Sequence, residues 1–239
     1  MSSDPKISTS IRLYCTTPHP CSYKDAQQAT TVFVDPEIEI TQALNSKLSN
    51  LGYRRSGAHL YRPDCTYCDA CISCRVPISK FNAKRSQKKI FRLNEDLQVK
   101  ETSELDCAES FNLYCRYINT RHQDGDMFPA TWEQYQAFIA TKTNDTRFYR
   151  FYTETRLVAV SVTDILQNGL SAVYTFFDPT AAKRSLGSYV ILWQIEKCRE
   201  LDLPYLYLGY WINNCQKMNY KNKYRPIQLL IGGKWLLLK

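Results

Sequence analysis

Residues 147–178 contain RFYRFYT, LVAVSVTDIL and LSAVYTFFD, three runs dominated by β-branched and aromatic residues. Such runs predict strands, because these side chains pack well on a pleated surface. Gln167-Asn168-Gly169 separates the last two runs, and Asn-Gly is the strongest short hairpin signal, since both residues tolerate positive φ. The next 50 residues change rhythm. Ser185-Leu186-Gly187 leads into a helix through YVILWQIEKCREL, YLYLGY reads as a strand, CQKMNYKN as a short helix, and IQLLI as a last strand. Antiparallel strands followed by a β–α–β crossover predict a mixed sheet with helices on its faces, an α+β fold.

Upstream, EIEITQALNSKLSNLGY places Ile40, Ala43, Leu44, Leu48 and Leu51 at helical spacing and stops at Gly52. SELDCAESFNLYCRYINTRH predicts a helix capped by Ser103, and TWEQYQAFIA one capped by Thr131. The charged stretch RLNEDLQVKETSELD divides a Cys-rich, basic N-terminal domain (1–102) from a C-terminal one (103–239).

The order of elements in the second half is similar to that of the GNAT acyltransferase fold. That fold carries an Arg/Gln-x-x-Gly-x-Gly/Ala loop whose amides hold the pyrophosphate of acetyl-CoA at a helix N-terminus. Arg184 and Gly187 match it, but Tyr189 occupies the second small position. A bulky residue there would obstruct the backbone's approach to pyrophosphate, so no CoA is expected.

The polar start MSSDPKISTS lacks the apolar core of a signal peptide, and runs such as LPYLYLGYWI are too short to span a bilayer. The expectation is therefore a cytoplasmic protein with no membrane partner. In that compartment ten cysteines are not a disulfide framework.

Cys65, Cys68, Cys71 and Cys74 recur every third residue. Reduced thiols at this spacing suit zinc or an iron–sulfur cluster. Neighbouring cysteines in ferredoxin-type runs share one cluster while another ligand comes from afar. Cys65, Cys68 and Cys71 would thus share a site with Cys21; His19 and Cys15 are weaker choices, and Cys74 is the local alternative. Cys107, Cys115 and Cys198 sit at apolar helix positions and read as core.

Net charge is +8. Lys80, Lys84, Arg85, Lys88, Lys89 and Arg92 form a segment without acids, and the tail after Asp202 also lacks them. Two such regions suggest a polyanion such as RNA.

HPCSY, YRPDCTYCDAC with RVP, KRSQKKIFRLN, RHQDGDM, GLSAVYTFFDP, RSLGSYVILWQIE, LPYLYLGYWI and KMNYK together resemble the arginyl-tRNA–protein transferase family, most closely its bacterial branch. The resemblance runs from about residue 11 to 235. It implies a metal-binding N-terminal domain and a GNAT-like C-terminal domain. The activity implied is transfer of leucine from Leu-tRNA to proteins beginning with Asp or Glu, which marks them for degradation. Where eukaryotic members often carry C-x-x-C, this chain reads Cys21-Ser22-Tyr23-Lys24, so the second thiol is absent.

An aminoacyl ester is already activated, so transfer needs positioning and a deprotonated amine but no covalent nucleophile. Asp164 and Asp178, at strand ends, are the candidates to orient the amine. Arg75 and Arg184 are the candidates for binding the acidic N-terminal side chain, because a guanidinium pairs with carboxylate in bidentate fashion. Lys84, Arg85, Lys88, Lys89 and Arg92 would contact the tRNA. Tyr174, Phe176, Tyr207, Tyr210 and Trp211 could stack on the terminal adenosine or line a leucine pocket. Two other readings compete: a CoA-dependent N-acetyltransferase, and a non-catalytic Cys-rich RNA-binding or redox-sensing module.

Overall fold

The computed structural model describes residues 11–105 and 107–239; the polar start 1–10 lies outside the described residues. A small antiparallel unit comes first, with β1 (Leu13–Cys15), β2 (His19–Pro20), β3 (Gln28–Ala29), β4 (Thr31–Val34), α1 (Gln42–Asn50), β5 (Arg54–Ser56) and β6 (His59–Pro63). Then come β7 (Ile72–Pro77), α2 (Arg85–Arg92), β8 (Leu97–Thr102), α3 (Ala108–Arg121) and the short α4 (Trp132–Gln134), which continues as a wider π-type turn over Tyr135–Ala140. β9 (Thr146–Thr153), β10 (Arg156–Leu166), β11 (Gly169–Phe177), α5 (Leu186–Glu200), β12 (Tyr205–Trp211), β13 (Ile227–Ile231) and β14 (Lys234–Leu238) follow.

One eight-stranded sheet organises the molecule, in the order β14-β13-β7-β12-β11-β10-β9-β8. Its strands pair antiparallel except β11 with β12, which are parallel because α5 crosses between them. The predicted hairpin forms, with Leu166 opposite Gly169 and only Gln167 and Asn168 between. β9 alternates as a strand covered on both faces must. Phe148 and Tyr152 pack with α3, whereas Tyr149 and Phe151 join the N-terminal end of α5. Each fully buried Val, Leu or Phe of these layers contributes about 1.5–3 kcal/mol. Gln194 of α5 donates to Ser161 Oγ at 3.0 Å and Thr163 Oγ1 at 2.9 Å, fixing the helix register on β10.

Several expectations hold locally. Gly52 turns the chain away after α1 at φ +90, and Thr41, which the sequence reading did not single out, caps that helix by accepting from the Leu44 N–H at 3.2 Å. Thr131 likewise accepts from the Gln134 N–H at 3.2 Å. α3, however, begins at Ala108 and not after Ser103, because Leu105 leaves the helical path to enter the core. The boundary expected at 102/103 cuts through the large sheet: β7 and β8 come from its N-terminal side, and β7 lies between β12 and β13. Among the described residues, no helix is long and apolar enough to cross a membrane.

Candidate active site

β11 and β12 pair only from Gly169 opposite Tyr205 to Ser171 opposite Tyr207. Beyond that point β11 stays with β10 while β12 follows β7, so the sheet opens between them. An irregularity between Tyr207 and Gly209 marks the parting, with Gly209 at φ +77. Separated strands leave backbone groups that need partners. Arg54 of β5 supplies one: its Nη2 donates to the Ala172 carbonyl at 2.6 Å and its Nη1 to Ser171 Oγ at 3.1 Å. The positive φ favours glycine at 209, and the Arg54 guanidinium packs closely against it: a Cβ there would lie 2.7 Å from Arg54 Nε.

Lys221 reaches the same place from the 3₁₀ turn Asn219–Lys223. It is only 4% exposed, and its Nζ donates to the Tyr210 carbonyl and to Met218 Sδ. Burial lowers its pKa from 10.5 to about 8; the Cys74 sulfur opposes this shift and the Arg54 charge adds to it. The Cys74 thiol donates to the Gly209 carbonyl at 3.1 Å, and burial pushes it up to about 11, so it stays neutral. Among the described residues, neither Arg54 nor Lys221 is in an ion pair with a carboxylate.

Beside this opening lies a cavity of about 200 Å³ lined by Cys21, Cys65, Cys68 and Cys71, with Tyr61 and Tyr210 between it and Arg54's strand. Burial and the three neighbouring thiols push the Cys71 thiol up to about 11. Cys74 faces the opposite layer: the chain enters β7 at Ile72, and the strand turns Cys74 into the core with α5. That removes it as a ligand of this cavity. His19 does line the cavity, while Cys15 is exposed on β1. Four convergent soft donors suit zinc or an iron–sulfur cluster in kind. Among the described residues, though, no three His, Cys, Asp or Glu side chains are already arranged as a metal site.

The other residues singled out in the sequence fall into distinct groups. Asp164 is 0% exposed and spends its oxygens on Arg55 (2.7 and 2.8 Å), Thr146 Oγ1 (2.7 Å) and Asn45 (3.4 Å), which leaves none for a substrate amine. Asp178 is 1% exposed, pairs with Arg156 and accepts from Thr180 N at 2.9 Å, closing the turn after β11. Neither orients an amine. Arg184 forms a bidentate pair with Asp96 at 2.7 and 2.8 Å, and so fastens the start of α5 to the turn after α2. It is not free to bind a substrate carboxylate.

Arg75 is buried between the rings of Tyr205 and Trp235 at 3.5 and 4.1 Å, and donates to Gln228, Asn50 and Tyr207. Lys84, Arg85, Lys88, Lys89 and Arg92 all lie exposed on or at the start of α2, and none is in an ion pair among the described residues.

Of the aromatic residues, Phe176 is core, against Tyr114 at 5.6 Å, and Tyr174 is partly buried beside it. Tyr207 belongs to the Arg75 cage, and Trp211 packs partly buried with the α5 layer. Tyr210 lines the cysteine cavity, with its hydroxyl donating to the Gly52 carbonyl at 2.9 Å. Cys198 is core as expected, whereas Cys107 stands at the N-terminal boundary of α3 without a side-chain capping bond and Cys115 is only half-buried. The Tyr189 ring turns into the core between Phe91 and Phe151, so it does not obstruct the loop at α5. Gly187 is needed for another reason: a Cβ there would meet Phe177 Cε1 at 2.8 Å.

The sheet is parted at its single parallel pair, two cations stand at the parting, and an exposed basic helix lies elsewhere on the molecule. The sequence models described as arginine-tRNA-protein transferase, N terminus and C terminus, match residues 19–89 and 109–231. The chain belongs to the arginine-tRNA-protein transferase family and is an enzyme of the aminoacyltransferase class.

It is 55% identical over 227 residues to an aspartate/glutamate leucyltransferase of Teredinibacter turnerae, covering 95% of this chain and 93% of that protein. A protein of the same name from Pseudomonas fluorescens is 51% identical, with 95% and 97% covered. Among solved structures, the C-terminal domain of a lysylphosphatidylglycerol synthetase from Agrobacterium fabrum superposes with TM-score 0.50 at 11% identity, over 71% of this chain and 58% of that one. That likeness concerns the fold alone.

Proposed function

We propose that the chain transfers leucine from Leu-tRNA to proteins whose first residue is Asp or Glu, marking them for degradation in the cytoplasm. The observation that carries this reading is half-identity, over nearly the whole chain, to proteins named for that activity. The parted sheet suits it as a GNAT-like acyl-transfer scaffold, with the reacting ends meeting near β11 and β12.

The substrate's α-amine attacks the ester carbonyl carbon. The new C–N bond forms, the bond to the ribose oxygen breaks, and the amine's proton ends on that oxygen. An α-amine has a pKa near 8, so only about a fifth is neutral at cellular pH, and the rest must lose a proton to solvent before attack. No histidine is hydrogen-bonded to a serine or cysteine among the described contacts, which agrees with direct attack and no covalent enzyme intermediate. The exposed cations of α2 would hold tRNA phosphates. Cys21, Cys65, Cys68 and Cys71 would hold a zinc ion or iron–sulfur cluster, which would tie the loop after β2 to the segment before β7.

Purified protein incubated with an Asp-starting peptide and Leu-, Arg- or Phe-charged tRNA tests the reading. Leucine should be added from Leu-tRNA alone. Transfer from acetyl-CoA, or no transfer with tRNA still bound, would favour the acetyltransferase or the binding module instead.

A further inference from the structure

An enzyme that acts on N-terminal Asp and Glu must tell them from Asn and Gln, which have nearly the same shape. The difference is one negative charge, so the discriminating group must be a cation that meets it. Arg184 is already paired and Arg75 is boxed in by two aromatic rings and neutral hydrogen-bond partners. We infer that Arg54 and Lys221, where β11 and β12 part, form the subsite that takes the side-chain carboxylate of the substrate's first residue. This rests on the leucyl-transfer reading above.

The geometry has four parts. Both cations converge on consecutive residues of β12: Arg54 lies against Gly209, and Lys221 bonds the Tyr210 carbonyl. Of the five N–H groups of a guanidinium, Arg54 commits one to Ser171 and one to Ala172, which leaves three for a ligand. Lys221 is 4% exposed with no carboxylate partner among the described residues, yet buried charges are ordinarily paired. Gly209, at φ +77, lets the guanidinium lie close against the β12 backbone, where a Cβ would come within 2.7 Å of Arg54 Nε. Two like charges held together without a counter-ion among the described residues attract an anion, and the opening where they sit is where an acyl acceptor would enter. An Asp side chain satisfies both charges; an Asn side chain leaves them unmet, a loss on the order of 100-fold or more.

The test compares Asp- and Asn-starting peptides of otherwise identical sequence with wild type, Arg54→Met, Lys221→Met and Arg54→Lys. Transfer from Leu-tRNA gives kcat/KM, and calorimetry gives peptide affinity without any chemistry. Wild type should prefer the Asp peptide by roughly 100-fold. Both Met variants should lose most of that preference, chiefly by losing Asp-peptide turnover and affinity, while Arg54→Lys restores part of it. If either Met variant fails to fold, as circular dichroism would reveal, the other carries the comparison.

A preference that survives both Met variants overturns the inference, as does an equal fall for the Asp and Asn peptides. Weakened Leu-tRNA binding with the preference intact also overturns it, by assigning the cations to a phosphate. If wild type transfers leucine to nothing but still binds the Asp peptide through Arg54 and Lys221, the leucyl-transfer reading fails and the subsite stands.

Discussion

Arg54 and Arg55 are neighbours on β5, and their guanidinium groups end in opposite circumstances. Arg55 points into the molecule and meets Asp164 in a buried pair, both side chains 1% exposed, with Gly57 and Thr141 carbonyls completing its bonds. Arg54, one residue earlier and so on the other side of the strand, reaches the parting of β11 and β12 and pairs with no carboxylate among the described residues. A buried cation that is fully paired is accounted for by folding. Arg54 is half-buried, but Lys221 beside it is buried with no carboxylate partner among the described residues, which costs stability, and that cost points to a task outside folding. The same contrast separates Asp164, whose oxygens are all engaged, from the carboxylate the opening lacks.

The largest effect follows from breaking the paired half. Arg55→Ala strands the Asp164 carboxylate in the interior and should cost about 3–5 kcal/mol, read as a lowered urea midpoint. Arg54→Met should move that midpoint far less. Equal losses would mean that both arginines serve folding alone.

Next comes Lys221. Its pKa is lowered from 10.5 to about 8 in the folded chain. Between these values the unfolded state binds more protons than the folded one, so wild-type stability gains with rising pH, and the penalty is fully present below about pH 8. Lys221→Met removes that ionisation and should be more stable at pH 7 by about 3 kcal/mol at most. The advantage should shrink above pH 8, in denaturant melts run at several pH values. A Met variant less stable than wild type at pH 7 would make Lys221 a structural residue.

The exposed cations of α2 offer the third comparison, outside against inside. Replacing Lys84, Arg85, Lys88 and Lys89 by alanine should reduce the salt slope of Leu-tRNA binding by about 3, at 0.7–0.9 per lost phosphate contact. Asp-peptide affinity should not change. An unaltered slope would remove α2 from the tRNA surface. The smallest effect belongs to Arg184→Ala: its pair with Asp96 is partly in solvent, with side chains 31% and 53% exposed. Stability should fall by no more than about 1 kcal/mol and peptide selection should stay intact.

The sequence carried the C-terminal strands, the hairpin and the parallel crossover well, because their periodicity is local. It also grouped Cys21 with Cys65, Cys68 and Cys71, the four thiols that line one cavity. It did not reveal β7. ISCRVP read as the tail of the cysteine run, and its place beside β12 depends on pairing with residues more than a hundred positions later. The arginines show the same limit. Nothing in YRRSG tells which guanidinium meets Asp164, 109 residues away, and which stays free. Lys221 was visible in KMNYK and in the acid-free tail after Asp202, but a basic tail reads as an RNA-binding surface. Only the fold shows that one of its lysines is buried while Lys217 is paired with Asp124 at 2.7 Å. The expectation for Tyr189 was misplaced because helix phase, not bulk, decides where a ring points.

A crystal of the enzyme with a short peptide beginning in Asp would decide the matter most directly. The side-chain carboxylate should lie between the Arg54 guanidinium and the Lys221 ammonium, with the α-amine facing the parting of β11 and β12. A peptide whose first residue sits elsewhere, its carboxylate bound by other cations, would contradict it.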